Sequence, residues 1–410
     1  MTTIDVRRVR ENEFDAWSDA IDLGFITPKR RGDGVRRRRW FELERCWGAF
    51  DEGRPVGTFR GIGLELTVPG GAFVPFDGIS GVTVAPTHRR RGLLSRMMAG
   101  ELGAARERGE PLSGLYAAEY PIYGRYGYGP AVEGATWHLD ARAARFAREL
   151  PGTVEIVDVP VAQAEAPKVY DRVRAATPGA ISRSVAQWER QLDLVPREGE
   201  PPSKEVLHAL CRDENGEAVG YVRYKFGEDR WTHARPDNLV EALDLFAVNV
   251  EYEARLWQYL ADHDWVSEVV SHEIRRPDEL WRDLLVNRRA AWADEYWEGQ
   301  WIRVLDAPGA LAARRYEVPG RLVLRVTDKD GYADGTFALE GGPDGATCAP
   351  TSELPDVTLS AGVLGSVYLG GFSAARYAAL GLLDEERPGA VARFAAMFHT
   401  AIAPWSPTGY

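Results

Sequence analysis

The sequence has few cysteines, and neither they nor the histidines are spaced as metal ligands. Cys46, Cys211 and Cys348 are odd in number, far apart and outside any CxxC or Cys/His pattern. A disulfide framework or a structural zinc site needs paired or closely spaced ligands, so the pattern argues against both. The histidines show no HxxxH or HxH spacing. We predict a protein without a bound metal.

Long apolar runs are also missing. A membrane-spanning helix needs about 18 or more consecutive apolar residues, and no such run occurs. The opening "MTTIDVRRVRENEF" is charged where a secretory signal would have an apolar core. We therefore expect a cytoplasmic protein that does not enter a membrane. The net charge of −11 and a single basic run, "VRRRRW", without interleaved aromatic residues argue against a nucleic-acid partner.

The remaining composition is that of a large globular chain. The 410 residues, 45% of them hydrophobic, suffice for several packed cores. Helical and strand patterns alternate over residues 1–150, and a similar order recurs over 151–298, which indicates a diverged internal repeat. Residues 299–410 form a third unit with a helix, several strands and two C-terminal helices. We predict an α+β fold (α/β layers) in three domains that pack against one another, since no low-complexity linker separates them.

The segment "VTVAPTHRRRGLLSRMM" at 82–98 is the strongest local signal. The pattern predicts a strand ending at Val84, a turn, and a helix that starts near Gly92. The first N–H groups of such a helix are unpaired and attract anions. Glycine lets a phosphate approach the backbone, and Arg89, Arg90 and Arg91 add fork-shaped donors. The second copy has "VNVEYEARLWQYL" here, without the glycine and the arginine run, so we expect it to bind no such ligand.

A plainer interpretation of the arginine run is a solvated basic turn. His88 beside it is expected to be exposed or a mild phosphate contact. The position between a strand and a helix favours the phosphate site.

The segment resembles the acetyl-CoA pyrophosphate loop of GNAT N-acetyltransferases, which has the pattern Arg/Gln-x-x-Gly-x-Gly/Ala. Its sequence is closely similar to that loop in the enhanced-intracellular-survival (Eis) family. Leu94 occupies the last position of the pattern, a substitution that the Eis group shares. The later "IYGRYGYGPA", the aromatic last residue and the three-part layout also agree. The likeness thus covers nearly the whole chain and implies a GNAT domain at 1–150, a degenerate GNAT-like domain at 151–298 and a sterol-carrier-protein-like domain at 299–410.

The resemblance implies an acetyl-CoA-dependent N-acetyltransferase and assigns roles to particular residues. Main-chain groups of Val82 and Val84 would contact the pantetheine arm. The residues that would hold the pyrophosphate are Arg89, Arg90, Gly92, Leu93 and Leu94.

Two tyrosines match the family's catalytic groups. Tyr123 in "PIYGRYGYG" matches the general acid, and the carboxylate of Tyr410 matches the general base. A phenol is protonated at neutral pH and can assist a departing thiolate, whereas a carboxylate is a weak base unless burial raises its pKa. The carboxylate could instead orient the ammonium group. Without the resemblance, Tyr123 would be a turn residue that caps a core, and a chain end would be solvated.

The sequence defines the acceptor site less clearly than the cosubstrate site. Family members that acetylate aminoglycosides line the acceptor pocket with acidic residues, and two such positions are Thr27 and Gly409 here. Phe25 keeps an aromatic wall, and Asp22 and Glu119 are acids that could substitute. The resemblance implies an aminoglycoside-like polycation or a lysine side chain as acceptor, and a homo-hexamer. The alternative function is a lipid or small-molecule carrier that uses the C-terminal domain.

Overall fold

The computed structural model describes residues 4–27, 33–195 and 205–410 of the chain. The strands of the first half are β1 (Asp5–Arg8), β2 (Cys46–Asp51), β3 (Arg54–Thr67), β4 (Phe73–Val84), β5 (Leu112–Tyr116), β6 (Gly129–Pro130), β7 (Glu133–Asp140), β8 (Thr153–Val157), β9 (Val206–Arg212) and β10 (Ala218–Phe226). The later strands are β11 (Trp231–Thr232), β12 (Arg235–Pro236), β13 (Asn238–Ala247), β14 (Val266–Arg275), β15 (Ala291–Glu298), β16 (Gln300–Val304), β17 (Gly320–Thr327), β18 (Gly335–Gly342), β19 (Gly345–Pro350), β20 (Val357–Ser360) and β21 (Leu383–Glu385).

The helices alternate with these strands, as the patterns predicted. They are α1 (Phe14–Gly24), α2 (Asp33–Arg38), α3 (Leu93–Glu107), α4 (Val159–Ala175), α5 (Val185–Gln191), α6 (Val250–Ala261), α7 (Ala307–Ala313), α8 (Ala361–Tyr368), α9 (Ala374–Ala379) and α10 (Ala390–Phe398). The expectation of two C-terminal helices was wrong, because three follow β20. α9 has only six residues, too few for a helical period to stand out in the sequence.

The first sheet has the strand order β1-β2-β3-β4-β5-β16-β6. α3 covers one face, where Met97, Met98 and Leu102 pack against Phe59 in a continuous apolar core. Burial of the apolar stripe of α3 explains why it docks on that face. α1 lies on the opposite side and contacts β3 and β4.

The second sheet has the order β15-β7-β14-β13-β10-β9-β8 and packs with α4 and α6. Two strands cross between the first two sheets. β7 precedes residue 150 but pairs with β14 and β15 in the second sheet. β16 follows residue 298 but pairs with β5 and β6 in the first sheet. The segments 1–150 and 151–298 therefore do not each contain a complete sheet.

The third sheet has the order β19-β18-β17-β20-β21 and carries α7 to α10. Its core is continuous with that of the first sheet, since Leu64 and Phe76 belong to the same apolar cluster as Leu322 and Leu364. After α10 the chain runs back to the first two domains. This return brings the last residues of the chain to the candidate site.

Candidate active site

Strands β4 and β5 separate at the centre of the first sheet. Their parallel pairing runs from Phe76 to Ile79, after which Ser80–Val84 continue alongside β3. A bulge in the β3–β4 pairing falls next to Gly81, which has a left-handed φ of +61°. A bulge bends and twists its strand, which fits the divergence at this point. We call the gap between Ser80–Val84 and the end of β5 the strand opening; Val82 and Val84 lie along it.

The arginine-rich turn leads from this opening into α3. Gly92 precedes the helix with φ +72°, a conformation that favours glycine, and no side chain caps the helix start. The helical ladder begins with the Arg96 N–H donating to the Gly92 carbonyl at 3.1 Å. The N–H groups of Leu93 and Leu94 precede it and face the turn. This is the geometry of an anion site.

Two features distinguish the turn from a merely solvated basic loop. Arg90 has a left-handed φ of +63°, a strained conformation of the kind that concentrates at functional sites. Arg89 and Arg90 are exposed, and neither has a carboxylate partner within the described residues. The expectation of an exposed His88 was wrong. Its ring is buried and bonds through Nε2 to Asp51 Oδ2 at 3.1 Å, because the turn must be fixed to β2.

Tyr123 is distinguished from its neighbours by a free hydroxyl. Tyr126 Oη shares a hydrogen bond with Ser95 Oγ at 2.9 Å, and Tyr128 Oη shares one with Ser113 Oγ at 2.8 Å. Within the described residues the hydroxyl of Tyr123 has no such partner, although the side chain is only 8% exposed. The Tyr126–Ser95 bond ties this loop to the first turn of α3.

Burial, with a smaller effect of the charge on Glu119, raises the pKa of Tyr123 to about 12. The phenol therefore keeps its proton at any working pH. The Tyr123 ring lies 6.3 Å from that of Tyr128. Tyr128 is in turn one of the groups that raise the pKa of Tyr410, after burial itself and Tyr116. Tyr128 therefore lies near both tyrosines, although the shifted pKa is that of the Tyr410 phenol and not of its carboxylate.

The chain end is docked inside the strand opening. Ser80 Oγ donates to the main-chain oxygen of Tyr410 at 3.1 Å, and the Tyr410 ring packs 5.1 Å from that of Tyr116. Tyr116, the last residue of β5, donates to the Thr408 carbonyl at 3.0 Å. A Cβ at Gly78 would lie 2.9 Å from the Tyr410 ring, so glycine makes room for it. Tyr410 therefore packs against both strands at the point where they diverge.

The second domain holds this tail from the other side. Arg183 is fully buried and donates to both carboxylate oxygens of Asp244, at 2.6 and 3.0 Å. It also donates to Thr408 Oγ1 at 2.5 Å and to the Pro407 carbonyl at 3.1 Å. The Trp405 N–H donates to the Pro178 carbonyl at 2.8 Å. Sequence reasoning missed Ser80, Tyr116 and Arg183, because no local pattern marks a partner of a distant chain end.

Of the residues predicted to line the acceptor side, Asp22 is paired with an arginine, whereas Phe25 and Glu119 are exposed. Asp22 is buried and accepts from Arg37 Nη1 at 2.7 Å. Phe25 follows α1 and is 51% exposed. Glu119 is exposed and near enough to Tyr123 to affect its pKa. Asp22 is therefore already neutralised by an arginine.

The start of α6 in the second domain is not an equivalent anion site. Asn249 caps α6 by accepting from the N–H groups of Glu251 and Tyr252 at 3.1 and 3.0 Å, and the first turn carries Glu251 and Glu253. These groups satisfy the helix start and repel phosphate. Across residues 4–27, 33–195 and 205–410, no group of three or more His, Cys, Asp or Glu side chains is placed to hold a metal ion. Within the same ranges, no helix combines the length and apolarity required to cross a bilayer.

Comparison with known families defines the class of protein. Acetyltransferase (GNAT) domain families match residues 5–131 and 179–304, and a sterol carrier protein domain family matches residues 307–407. The chain is an acetyltransferase with two GNAT domains and a sterol-carrier-protein-like domain. The predicted fold class is confirmed.

Relatives then identify the family. The chain is 40% identical over 412 residues to an N-acetyltransferase of Streptomyces avermitilis, covering 98% of each chain. It is 34% identical over 342 residues to the N-acetyltransferase Eis of Mycobacterium tuberculosis, covering 81% of this chain and 80% of that one. The structure of Eis1 from Mycobacterium abscessus matches with a TM-score of 0.86, 27% identity and full coverage of both chains. The chain belongs to the Eis family of N-acetyltransferases, as the sequence resemblance predicted.

A more distant structure shares the fold alone. A GCN5-related N-acetyltransferase from Anabaena variabilis matches with a TM-score of 0.85 at 19% identity, over the whole of both chains. The three-domain arrangement is thus retained at low sequence identity.

Proposed function

We propose that this enzyme transfers the acetyl group of acetyl-CoA directly to a primary amine, with Tyr123 as general acid and the carboxylate of Tyr410 as general base. The observation that carries the proposal is the docking of the chain end in the strand opening, where Ser80 holds Tyr410. A chain end is usually frayed. Here residues 404–408 are buried, and Tyr410 is partly buried against the first domain.

The cosubstrate would lie between the opening and the arginine-rich turn. Unpaired main-chain groups of Val82 and Val84 would bond the pantetheine arm as an added strand does. The N–H groups after Gly92, with Arg89 and Arg90, would bind the pyrophosphate. An ideal Cβ at Gly92 would meet nothing within 4 Å, so the space above the helix start is open to a phosphate.

The transfer requires two proton movements. The amine nitrogen attacks the thioester carbonyl carbon, a C–N bond forms, and the C–S bond breaks. The proton lost by the amine passes to the Tyr410 carboxylate, directly or through water, and the departing thiolate takes a proton from Tyr123. Solvent then restores the Tyr123 proton and takes up the proton of the Tyr410 carboxyl group, and an amide and free CoA leave.

The raised pKa of Tyr123 bears on its role. A phenol with a pKa of about 12 is a weaker acid than a thiol of reference pKa about 8.5. Burial disfavours a thiolate at the same place just as it disfavours the phenolate, so the difference between the pKa values of the two groups becomes smaller. Tyr123 would therefore act by a strong hydrogen bond that becomes proton transfer as the C–S bond breaks.

Amine-dependent thiol release from acetyl-CoA tests the proposal, with untagged protein and a panel of aminoglycosides, polyamines and a lysine-bearing peptide. We expect Tyr123→Phe to reduce kcat by about 10²-fold or more, the usual contribution of a general acid. Tyr126→Phe is the matched control, because its hydroxyl is already bonded to Ser95. Equal losses in the two variants would remove the acid role from Tyr123.

The acceptor implied by the family is an aminoglycoside-like polycation or a lysine side chain, and the panel includes both. The family also implies a homo-hexamer in the cytoplasm, and light scattering of the purified protein would measure the oligomeric state. The −11 net charge would favour encounter with cations in general.

The carrier alternative has less support from the third domain. Its interior is filled by the buried side chains of Phe394, Phe398, Tyr316 and Tyr368 around Arg314, which donates to the Tyr368 and Phe398 carbonyls. Lipid extraction and mass spectrometry of the purified protein would test this function, and a stoichiometric bound lipid would favour it.

A further inference from the structure

A small cavity opens beside Tyr410, on the side of the chain end away from α3. It has a volume of about 50 Å³ and lies between the first and second domains. Arg60 and Ile62 of β3 and Arg190 of α5 line it together with Trp40 and Phe41. A space of this size admits a group of a few heavy atoms.

The charged side chains that line the cavity are those of Arg60 and Arg190, and Tyr410 lies at its edge. Arg60 donates to the Trp40 carbonyl at 2.8 Å and stacks 3.7 Å over the Phe41 ring, but its Nε is buried without a partner. Arg190 keeps more than a third of its surface exposed, and its side chain has no hydrogen bond or ion pair within the described residues. Burial, with the nearby Arg190 charge as a lesser effect, lowers the pKa of Arg60 to about 10.

Two carboxylates close to these arginines are already paired with other groups. Glu189, next to Arg190, accepts from Arg39 at 2.9 Å and from the Trp40 indole at 3.1 Å. Glu42, whose charge acts on the pKa of Arg60, accepts from Arg45 Nε at 3.0 Å. Apart from the Tyr410 carboxylate at the edge of the cavity, the Arg60 Nε and the Arg190 guanidinium have no anionic partner within the described residues. The unpaired buried N–H of Arg60 costs free energy that a bound anion would recover.

The sheet register places this positive charge next to the reaction centre. Arg60 of β3 is the direct cross-strand partner of Ser80 of β4, so their side chains lie on the same face about 5 Å apart at Cβ. Ser80 is also the residue that holds Tyr410. A cation site and the terminal carboxylate thus lie side by side.

We propose that the acceptor of this enzyme is an amine that carries an anionic group such as a carboxylate within a few bonds of its nitrogen. The ammonium group would face the Tyr410 carboxylate, and the anion would pair with Arg60 and Arg190 in the cavity. The geometry favours an amino-acid-like zwitterion over a polycation, whose second ammonium group would be repelled by these arginines. This inference rests on the proposed function, because it names the acceptor of that same site.

Acceptor pairs that differ only in the anion test the inference. We would measure kcat/KM for 4-aminobutyrate and its primary amide, for phenylalanine and phenylalaninamide, and for spermidine and kanamycin as polycations. A charge-assisted Arg–carboxylate bond predicts a preference of about tenfold or more for the carboxylate of each pair.

Arg190→Glu is the informative variant, because the side chain makes no internal bond and its loss leaves the fold intact. Arg60 is not substituted, since it also holds Trp40. Arg289→Gln, an exposed arginine of the second domain far from the cavity, is the control. We expect Arg190→Glu to abolish the carboxylate preference and to raise kcat/KM for spermidine, and Arg289→Gln to change neither.

The outcomes separate the two claims. The acceptor class is overturned if kcat/KM is higher for the amides or polycations and the ratios of kcat/KM are the same in Arg190→Glu and Arg289→Gln. The proposed acetyltransferase activity would still stand. No turnover of any amine by protein that binds acetyl-CoA overturns the proposed function and this inference with it.

Discussion

Extending the chain by one glycine after Tyr410 would test the role of its carboxylate most directly. The extension converts the carboxylate that Ser80 holds into a neutral peptide group and moves the negative charge by up to about 3.8 Å, one Cα–Cα step. A general base must lie within about 2.6–3.2 Å of the proton that it takes, or one water away. The displacement exceeds the direct reach of a hydrogen bond.

We expect kcat to fall by about 10²- to 10⁴-fold, which corresponds to about 3–5 kcal/mol in the activation barrier. The measurement is steady-state thiol release at saturating acetyl-CoA, beside calorimetric binding of acetyl-CoA, which should be unchanged. A glycine added before the first residue is the control. A semisynthetic chain ending in a carboxamide removes the charge without moving the tail. If both altered chains keep kcat within about threefold of the original, the terminal carboxylate is not the base.

Two further substitutions test the cosubstrate site and the buried ion cluster of the first domain. Gly92→Ala should weaken acetyl-CoA binding at least about tenfold, because it adds left-handed strain of about 1–2 kcal/mol and a methyl group at the phosphate; calorimetry would measure this. Gly53→Ala is the matched control, with φ +81° and an equally open Cβ position in a β2–β3 turn, and equal binding losses would contradict the phosphate role. Burial, reinforced by Glu101 and Glu110, raises the pKa of Asp77 well above its usual value, so the folded state holds a proton that the unfolded state loses above about pH 4. Each pH unit between the two pKa values of Asp77 then lowers the free energy of unfolding by about 1.4 kcal/mol. In urea unfolding at pH 5–9, the stability of Asp77→Asn should therefore fall less with rising pH than that of the original protein. An unchanged pH dependence would show that Asp77 is ionised in the folded protein.

The parts of the site that sequence reasoning predicted are those with local causes. The turn before α3 could be located because a strand, a glycine and an amphipathic helix adjoin within 17 residues, "VTVAPTHRRRGLLSRMM". The GNAT resemblance separated Tyr123 from Tyr126 and Tyr128, which composition alone could not do. The structure adds a physical distinction, since the other two hydroxyls are already bonded.

The parts that sequence reasoning missed depend on contacts between distant residues. The bond from Arg183 to Thr408 joins positions 225 residues apart, and no local pattern records such a pairing. Arg60 resembled an ordinary polar residue of a strand, and its significance follows only from its register with Ser80. The strand exchange was missed for the same reason, because β16 reaches its partners across the whole second domain.

The exchange of β7 and β16 between the first two sheets predicts where the chain can be truncated. A fragment that ends at residue 298 lacks β16, which pairs with β5 over Gln300–Val304 and fills the interior of the first sheet. All five of its residues are buried, so the fragment would expose both β5 and the core around Trp301. We expect it to be insoluble or molten, with no cooperative melting transition.

A fragment that ends at residue 304 retains β16 and is the matched comparison. Its first sheet keeps all seven strands, although the shared core loses the third domain and the opening loses Tyr410. We expect cooperative unfolding and acetyl-CoA binding without turnover, measured by calorimetry and thiol release. Equal behaviour of the two fragments would mean that the first domain folds without β16. The cosubstrate site needs β16, whereas the proposed base needs the third domain, which brings the chain end back to the site. Truncation before β16 would therefore abolish acetyl-CoA binding, and truncation after β16 would abolish only catalysis.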